Sequence, residues 1–413
     1  MDSLLEQMPK MLTGKELEEA MLSLPPYDPG IRQAGAGTRL AALNDITEIY
    51  VPSQMSHEIY SKIYLAMLHS LKKKQTAGAV RQGNQNHRRI QGLAYNSVLG
   101  GADSFSVTGP SGIGKSTALA KAAFLSGGGE IIVTDNPHAR IIPCINVQCP
   151  HDCSVKGLLL AILSQVDMAI GTDYRQSAAK YRASTDTTIG MVSQVSLNNI
   201  LLIIIDECQN ICRNRNGINL AASMTQLINS SGVSICMVGL PETELFFRQE
   251  MQLARRSVGL SYSALPYDGY FIRFCEILFT YQYVVNGSVL TPDLMELLYE
   301  CTGGIIAVLV SLIMEAQQIA VITGREELSR ETILMAYRER HKNVQDFVHV
   351  NGRKRSQTSK TAAGRTPDAA EGRLPAETDE VSISGLTGLM SDRNADAAGL
   401  LAQNGILVEE VAV

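Results

Sequence analysis

Short apolar runs without internal alternation recur through the middle of the chain: Phe105–Thr108, Ile141–Val147, Ile200–Ile205 and Ser234–Val238. A strand that is apolar at every position is covered on both faces, so these runs predict a parallel sheet with helices on each side. The stretches between them are long enough for crossover helices. Upstream, Ile59, Ile63 and Met67, with Tyr60, Tyr64, Leu68 and Leu71, repeat at helical spacing. They predict a helix from about Ser56 to Lys74, closed by three lysines that suit a helix C-terminus. Arg81–Arg89 is polar and basic, and a helix over about Ile90–Val98 is expected to lead into the sheet. After about Tyr267 the strand signals stop. Helices are predicted over about Tyr270–Val284, Pro292–Cys301, Ile305–Thr323 and Arg330–His341, with Thr291-Pro292 and Ser329 as start signals.

These patterns divide the 413 residues into four parts. Residues 1–52 read as a loosely ordered, partner-binding lead-in with a short helix at Gly14–Leu22 and a breaker cluster at Pro25–Gly30. Residues 53–268 carry the α/β pattern, 269–345 a helical lid, and 346–413 a tail. The tail lacks the apolar content to offset the entropy of ordering it, and a disordered segment is expected. Its charge is split: residues 351–365 hold five basic and no acidic side chains, 366–413 nine acidic and two basic.

Composition narrows the picture only a little. Hydrophobic residues make up 45% and charged residues 19%, and no run reaches the roughly 18–20 apolar residues of a membrane span. The N-terminus has no secretory pattern, so a cytoplasmic protein with no membrane partner is the expectation. The net charge of −5 excludes wholesale coating of nucleic acid but allows a local basic track. Of the eight cysteines, Cys149, Cys153, Cys208 and Cys212 lie closest to a metal-like pattern, yet without the paired short spacings of a zinc module. Reduced thiols are expected.

The chemistry sits at two strand ends. Gly109-Pro110-Ser111-Gly112-Ile113-Gly114-Lys115-Ser116-Thr117 follows the first strand and precedes a helix. Such a P-loop turns backbone N–H groups toward phosphates, with Lys115 on the β- and γ-phosphates and Ser116 on Mg²⁺. The third apolar run ends in Asp206-Glu207. Asp206 is placed to hold the Mg²⁺ shell and Glu207 to polarise the attacking water, which is the logic of ATP hydrolysis. The tip of the fourth run carries Leu240 where a polar γ-phosphate sensor is expected, and the nearest hydroxyl is Thr243. Arg248, Arg255 and Arg256 come next; Arg255 first, then Arg256, is the candidate to reach a neighbouring subunit's γ-phosphate, the alternative being a solvated basic helix end.

With both halves placed, the chain resembles the AAA+ ATPases of transposition, the TnsC/TniB group, over about Pro52 to Arg340. Three further features carry the likeness: Gln148-Cys149-Pro150 through Ser154, Lys156, Gly157 and Leu158; Val238-Gly239-Leu240-Pro241-Glu242; and Cys301-Thr302-Gly303 with the helix after it. Ile306, Ala307 and Val308 stand where that group often has an arginine, which points to slow or partner-dependent hydrolysis. The resemblance implies an α/β AAA+ P-loop NTPase with a C-terminal helical lid. It implies a regulator that assembles with ATP into rings or helical filaments on duplex DNA, meets a target-selection protein and recruits a transposase. By matching position, Lys156 and the Thr172 region face the DNA backbone. Arg175, Lys180 and Arg182 add a sparse basic set, with Lys72–Lys74 and Arg88–Arg89 weaker candidates. Other readings stay open: an origin-binding or clamp-loader-like AAA+ machine, a nucleotide-gated scaffold that barely hydrolyses ATP and, more distantly, a small-molecule kinase.

Overall fold

The four apolar runs become central strands of one sheet. In the computed structural model, which describes residues 6–99, 104–135, 138–180, 183–214, 216–244 and 259–339, the strands are β1 (Phe105–Thr108), β2 (Ile132–Asp135), β3 (His138–Gln148), β4 (Ile200–Asp206), β5 (Ser234–Gly239) and β6 (Leu260–Ser261). Their spatial order is β2-β3-β4-β5-β1-β6. Only the β2–β3 pair is antiparallel. β1 and β5 are buried at every position and β4 at all but its last, as expected for strands covered on both faces. Sequence reasoning missed β2 and β6, which are short edge strands.

The helices are α1 (Gly14–Met21), α2 (Ala36–Ala42), α3 (Gln54–Lys74), α4 (Ala77–Ile90), α5 (Lys115–Ala123), α6 (Val155–Ile170), α7 (Tyr174–Lys180), α8 (Thr185–Asn199), α9 (Gln209–Arg213), α10 (Gly217–Ser231), α11 (Gly269–Thr280), α12 (Pro292–Thr302), α13 (Ile306–Ile322) and α14 (Arg330–Glu339). Local signals explain several of their ends. Ser53 and Ser56 cap α3 reciprocally, and Ser154 accepts from Gly157 N at the start of α6. Thr291 and Pro292 open α12, and Gly303 at φ 58° closes it.

Three apolar clusters organise the packing. On one face of the sheet, Leu158, Ile162, Val166, Val192 and Leu227 of α6, α8 and α10 cover Ile203, Ile205 and Met237. On the other, Ile59, Ile63, Met67 and Leu71 of α3 join Ala118 and Leu119 of α5 over Val107, Ile204 and Val238. The third unites α11 to α14 around Phe271, Leu298, Leu312, Ile313 and Ile333. At roughly 25 cal/mol per Å² of apolar surface, the three together supply the main driving force for the fold. Among the described residues no single helix is long and apolar enough to cross a membrane.

Two expectations change. Arg81–Arg89 lies within α4, whereas residues 93–98 form no helix. Nor are residues 14–52 a loose lead-in. Leu17 and Met21 pack into the cluster around α3, and Leu43, Ile46, Ile49 and Val51 into that of α11 to α14. The tail, residues 346–413, lies outside the described residues.

Candidate functional site

Register brings the strand tips together. Gln148 is paired with Asp206 and Thr108 with Gly239, so β3, β4, β5 and β1 all end at one edge. β5 lies between β4 and β1, so the acidic pair reaches the P-loop across an intervening strand. Ser116 Oγ donates to Asp206 Oδ2 at 3.3 Å, joining the two predicted Mg²⁺ ligands. Glu207 sits at φ 60°, a left-handed conformation costly for a side-chain-bearing residue. Its N–H donates to Asp206 Oδ1 at 2.8 Å, and its carboxylate accepts from the Gln209 amide. Gln209, at the start of α9, is a site residue that sequence reasoning missed.

The P-loop glycines are used for their backbone freedom. Gly112 has φ 81° and Gly114 φ 94°, both open to glycine and strained for other residues. α5 starts at Lys115, so its first N–H groups have no partner within the helix and face outward with the positive end of the dipole. Lys115 Nζ donates to the carbonyls of Gly109 and Pro110, each at 2.7 Å. Burial pushes the lysine's pKa down, opposed by the charges of Asp206 and Glu207.

A cavity of about 1010 Å³ opens over this loop, ample for a nucleotide. Its floor is Ser111–Thr117 with Asp206, Glu207 and Gln209. One wall is the chain from Leu40 to Ser56; the other is α11 and α13, with Tyr270, Ile306, Ala307, Val310 and Met314. α13 touches the P-loop directly, since Ala307 N donates to Gly112 O at 2.9 Å. Oxygen-only donors at Ser116 and Asp206 fit Mg²⁺, and the N–H-lined cradle with Lys115 fits a polyphosphate. Mg²⁺·ATP held there would supply the electrophilic γ-phosphorus, with Lys115, Ser116 and Asp206 as the residues that would hold it. Thr117 lines the cavity with them, whereas Pro110 does not line it and contributes its carbonyl to Lys115.

The sensor positions depart from the usual pattern. Leu240 lines the cavity, whereas the Thr243 hydroxyl is fully buried beneath Gly239. Among the described residues lining the cavity, the only cations are Lys115 and Lys121, the latter 4.9 Å above the Tyr50 ring. The α13 face presents Ile306, Ala307, Val310, Ser311, Met314, Glu315 and Gln318 and no cation. Arg248, Arg255 and Arg256 lie outside the described residues.

The candidate DNA contacts are scattered in environment. Lys156 Nζ donates to Ala183 O at 2.9 Å, tying α6 to the segment before α8. Thr172 Oγ1 donates to Asp167, which also caps the N–H groups of Tyr174 and Arg175. Arg175 and Lys180 are exposed on α7, and Arg182 is outside the described residues. Of the weaker candidates, Arg89 is buried, paired with Asp186 at 2.6 Å and stacked on Tyr95, and Lys74 donates to the carbonyls of Ser196 and Leu197. Neither is presented to DNA. The cysteines hold no metal-like cluster among the described residues. Burial raises the thiols of Cys144 and Cys149 to about 12, which keeps them protonated.

No curated protein matches this chain. Among solved structures it is similar to the Aeropyrum pernix ORC1 protein in complex with DNA, at 18% identity and a TM-score of 0.41, covering 64% of each chain. It is also similar to Drosophila ORC bound to DNA, at 12% identity and a TM-score of 0.44, covering 81% of this chain and 70% of that one. The chain thus spans 64% of the length of the first, and likeness at these scores bears on neither chemistry nor partners. The model of the bacterial TniB protein family matches residues 58–262, from within α3 to just past β6. Through that stretch, which contains both halves of the nucleotide site, the chain belongs with the TniB-type AAA+ ATPases.

Proposed function

We propose that this chain is an ATP-dependent, DNA-binding regulator of transposition, which oligomerises on duplex DNA, links a target-selection protein to a transposase, and hydrolyses ATP to disassemble. The observation that carries the ATPase part is the Ser116–Asp206 contact across β5, with Glu207 at the next position. In this reading Lys115 neutralises the phosphates, Ser116 and Asp206 hold Mg²⁺, and Glu207 takes the proton from water. Residues 53–268 form the nucleotide-binding part and 269–345 its lid, while the 346–413 tail serves partners. Arg255 of a neighbouring subunit remains the proposed trans-acting cation. The DNA role rests on the TniB match and on the exposed Arg175 and Lys180. Lys156, Thr172 and Arg182 are proposed with them, the first two after exchanging their present bonds. Such backbone contacts give binding without base preference and with a steep salt dependence.

One observation favours a second reading. The α13 wall offers no cation to the nucleotide and Leu240 no polar group, which suits a nucleotide-gated scaffold with slow turnover. Glu207→Gln separates the two. The regulator reading expects wild-type phosphate release to be stimulated by duplex DNA, and the variant to lose roughly 10²–10⁴-fold while still forming filaments by electron microscopy. Equal, slow release from both proteins with and without DNA would establish the scaffold instead.

A further inference from the structure

Of the three non-glycine residues with positive φ among the described residues, two bear carboxylates: Glu207, in the site, and Glu326, far along the chain at φ 53°. Glu326 lies just beyond α13 and takes both guanidinium arms of Arg39, at 2.6 and 2.7 Å. Arg39 is only 4% exposed although it belongs to the short helix α2. Two further donors go to Tyr283 O at 2.8 Å and Ala34 O at 3.1 Å. Glu326 also accepts from Val285 N. A buried guanidinium satisfied in this forked geometry is a rigid joint, because any displacement strands charge in a poorly solvated place.

What the joint connects is the nucleotide cavity's two walls. Immediately after Arg39 come Leu40, Leu43, Asn44 and Thr47–Val51, which line one wall. Shortly before Glu326 comes α13, which lines the other and whose first turn meets the P-loop, Ala307 N donating to Gly112 O. The first wall returns to the P-loop helix through Tyr50, whose ring lies under Lys121 of α5. Contacts therefore run in a closed ring around the cavity: P-loop, α13, Glu326, Arg39, residues 40–51, α5. Arg32 on Val284 O and Tyr281 on Pro25 O brace the same junction.

We propose that Arg39 is a positioning residue for the nucleotide, locking residues 40–51 to the lid so that the two walls close on ATP as one body. This rests on the nucleotide reading of the cavity. Because the ring passes through the P-loop at Gly112, occupation of the loop tightens the joint, and loss of the joint loosens the nucleotide without touching Lys115, Asp206 or Glu207.

The test uses the full chain and a fluorescent ATP analogue with Mg²⁺. Arg39→Ala is expected to bind roughly tenfold more weakly, and Arg39→Lys, which keeps one charged contact with Glu326, to recover part of the loss. A merely structural role would lower the melting temperature of the nucleotide-free protein and leave the dissociation constant alone. Hydrogen exchange on the wild type needs no variant to fold: the analogue is expected to slow exchange at residues 281–286 and 323–327. Unchanged affinity in folded Arg39→Ala, or unchanged exchange in those segments when the wild type is saturated, overturns the positioning role alone. A wild type that binds no analogue overturns the nucleotide reading, and this proposal with it.

Discussion

Replacing Gly112 by alanine places a methyl group where the lid meets the P-loop. The new Cβ would lie 3.0 Å from Ile305 Cγ2 and 3.1 Å from Ala307 Cβ, on a residue at φ 81°. Gly114 provides a matched control: its φ is 94°, and its Cβ would meet nothing nearer than Met55 Cε at 4.0 Å. Both variants incur the left-handed backbone cost of about 1–2 kcal/mol, offset by about 0.4–1 kcal/mol because alanine restricts the unfolded chain. Gly112→Ala adds an overpacking cost of about 1–3 kcal/mol, since the lid helix must retreat and stretch the Ala307–Gly112 hydrogen bond. The expected losses are therefore about 1 kcal/mol for Gly114→Ala and about 2–4 kcal/mol for Gly112→Ala. Calorimetric melting without nucleotide reads the gap as about 2–6 °C, using about 2 °C per kcal/mol for a chain of this size. Equal melting temperatures for the two variants would refute the idea that the lid bears on the P-loop through this contact.

Two further outcomes follow from single side chains. Gln209 donates to the Glu207 carboxylate and competes with water for it; a hydrogen bond to a charged group contributes about 1.5–3 kcal/mol, so Gln209→Ala is expected to raise single-turnover hydrolysis by about tenfold or more at unchanged ATP affinity, and a rate that falls instead would make Gln209 a support for Glu207. Burial lowers the Lys74 pKa from 10.5 to about 7. The unfolded chain then binds the extra proton between those values, so wild-type stability drops as pH falls from about 10.5 to about 7 and is level below. Lys74→Met is accordingly expected to be more stabilising at pH 6.5 than at pH 9. About two pKa units correspond to about 2.7 kcal/mol between the two pH values, and the loss of two carbonyl bonds lowers both gains alike and cancels in the comparison; denaturant midpoints at the two pH values measure it, and equal gains would show the ammonium to be adequately solvated.

The nucleotide site was legible because its parts are local. Gly109–Thr117 and Leu201–Glu207 each declare a strand end with its chemistry, and the parallel sheet does the assembly. Residues that act through distant partners left no comparable trace. α4 packs by polar contacts, with the Asn86 amide on Ser230 O, Gln82 receiving Val98 N and Leu99 N, and Arg89 on Asp186. A helix buried through Gln, Asn and Arg has no apolar stripe, so the period that reveals helices is missing. Gln209 looks like an ordinary polar residue until Glu207 adopts its left-handed φ. The lead-in looked loose because the partners of Arg39 and Tyr27 lie about 240 to 290 residues away, at Gln282, Tyr283 and Glu326.

The same distance gives that segment its mechanical meaning. Residues before Ser53 fold against two different clusters: Leu17 and Met21 follow the sheet, while Leu43 to Val51 follow the lid. The crossing lies between Leu22 and Pro26 and again at Tyr50 to Ser56, where Ser23 pairs with Tyr50 and Tyr50 bonds Ser56. A lid that moves relative to the sheet must therefore bend the chain at both places at once. Both are short and bounded by elements that are themselves held, so the lid has a restricted arc. With no cation on α13 lining the cavity, a nucleotide bound there would act on α11 to α14 through this arc and the Gly112 contact.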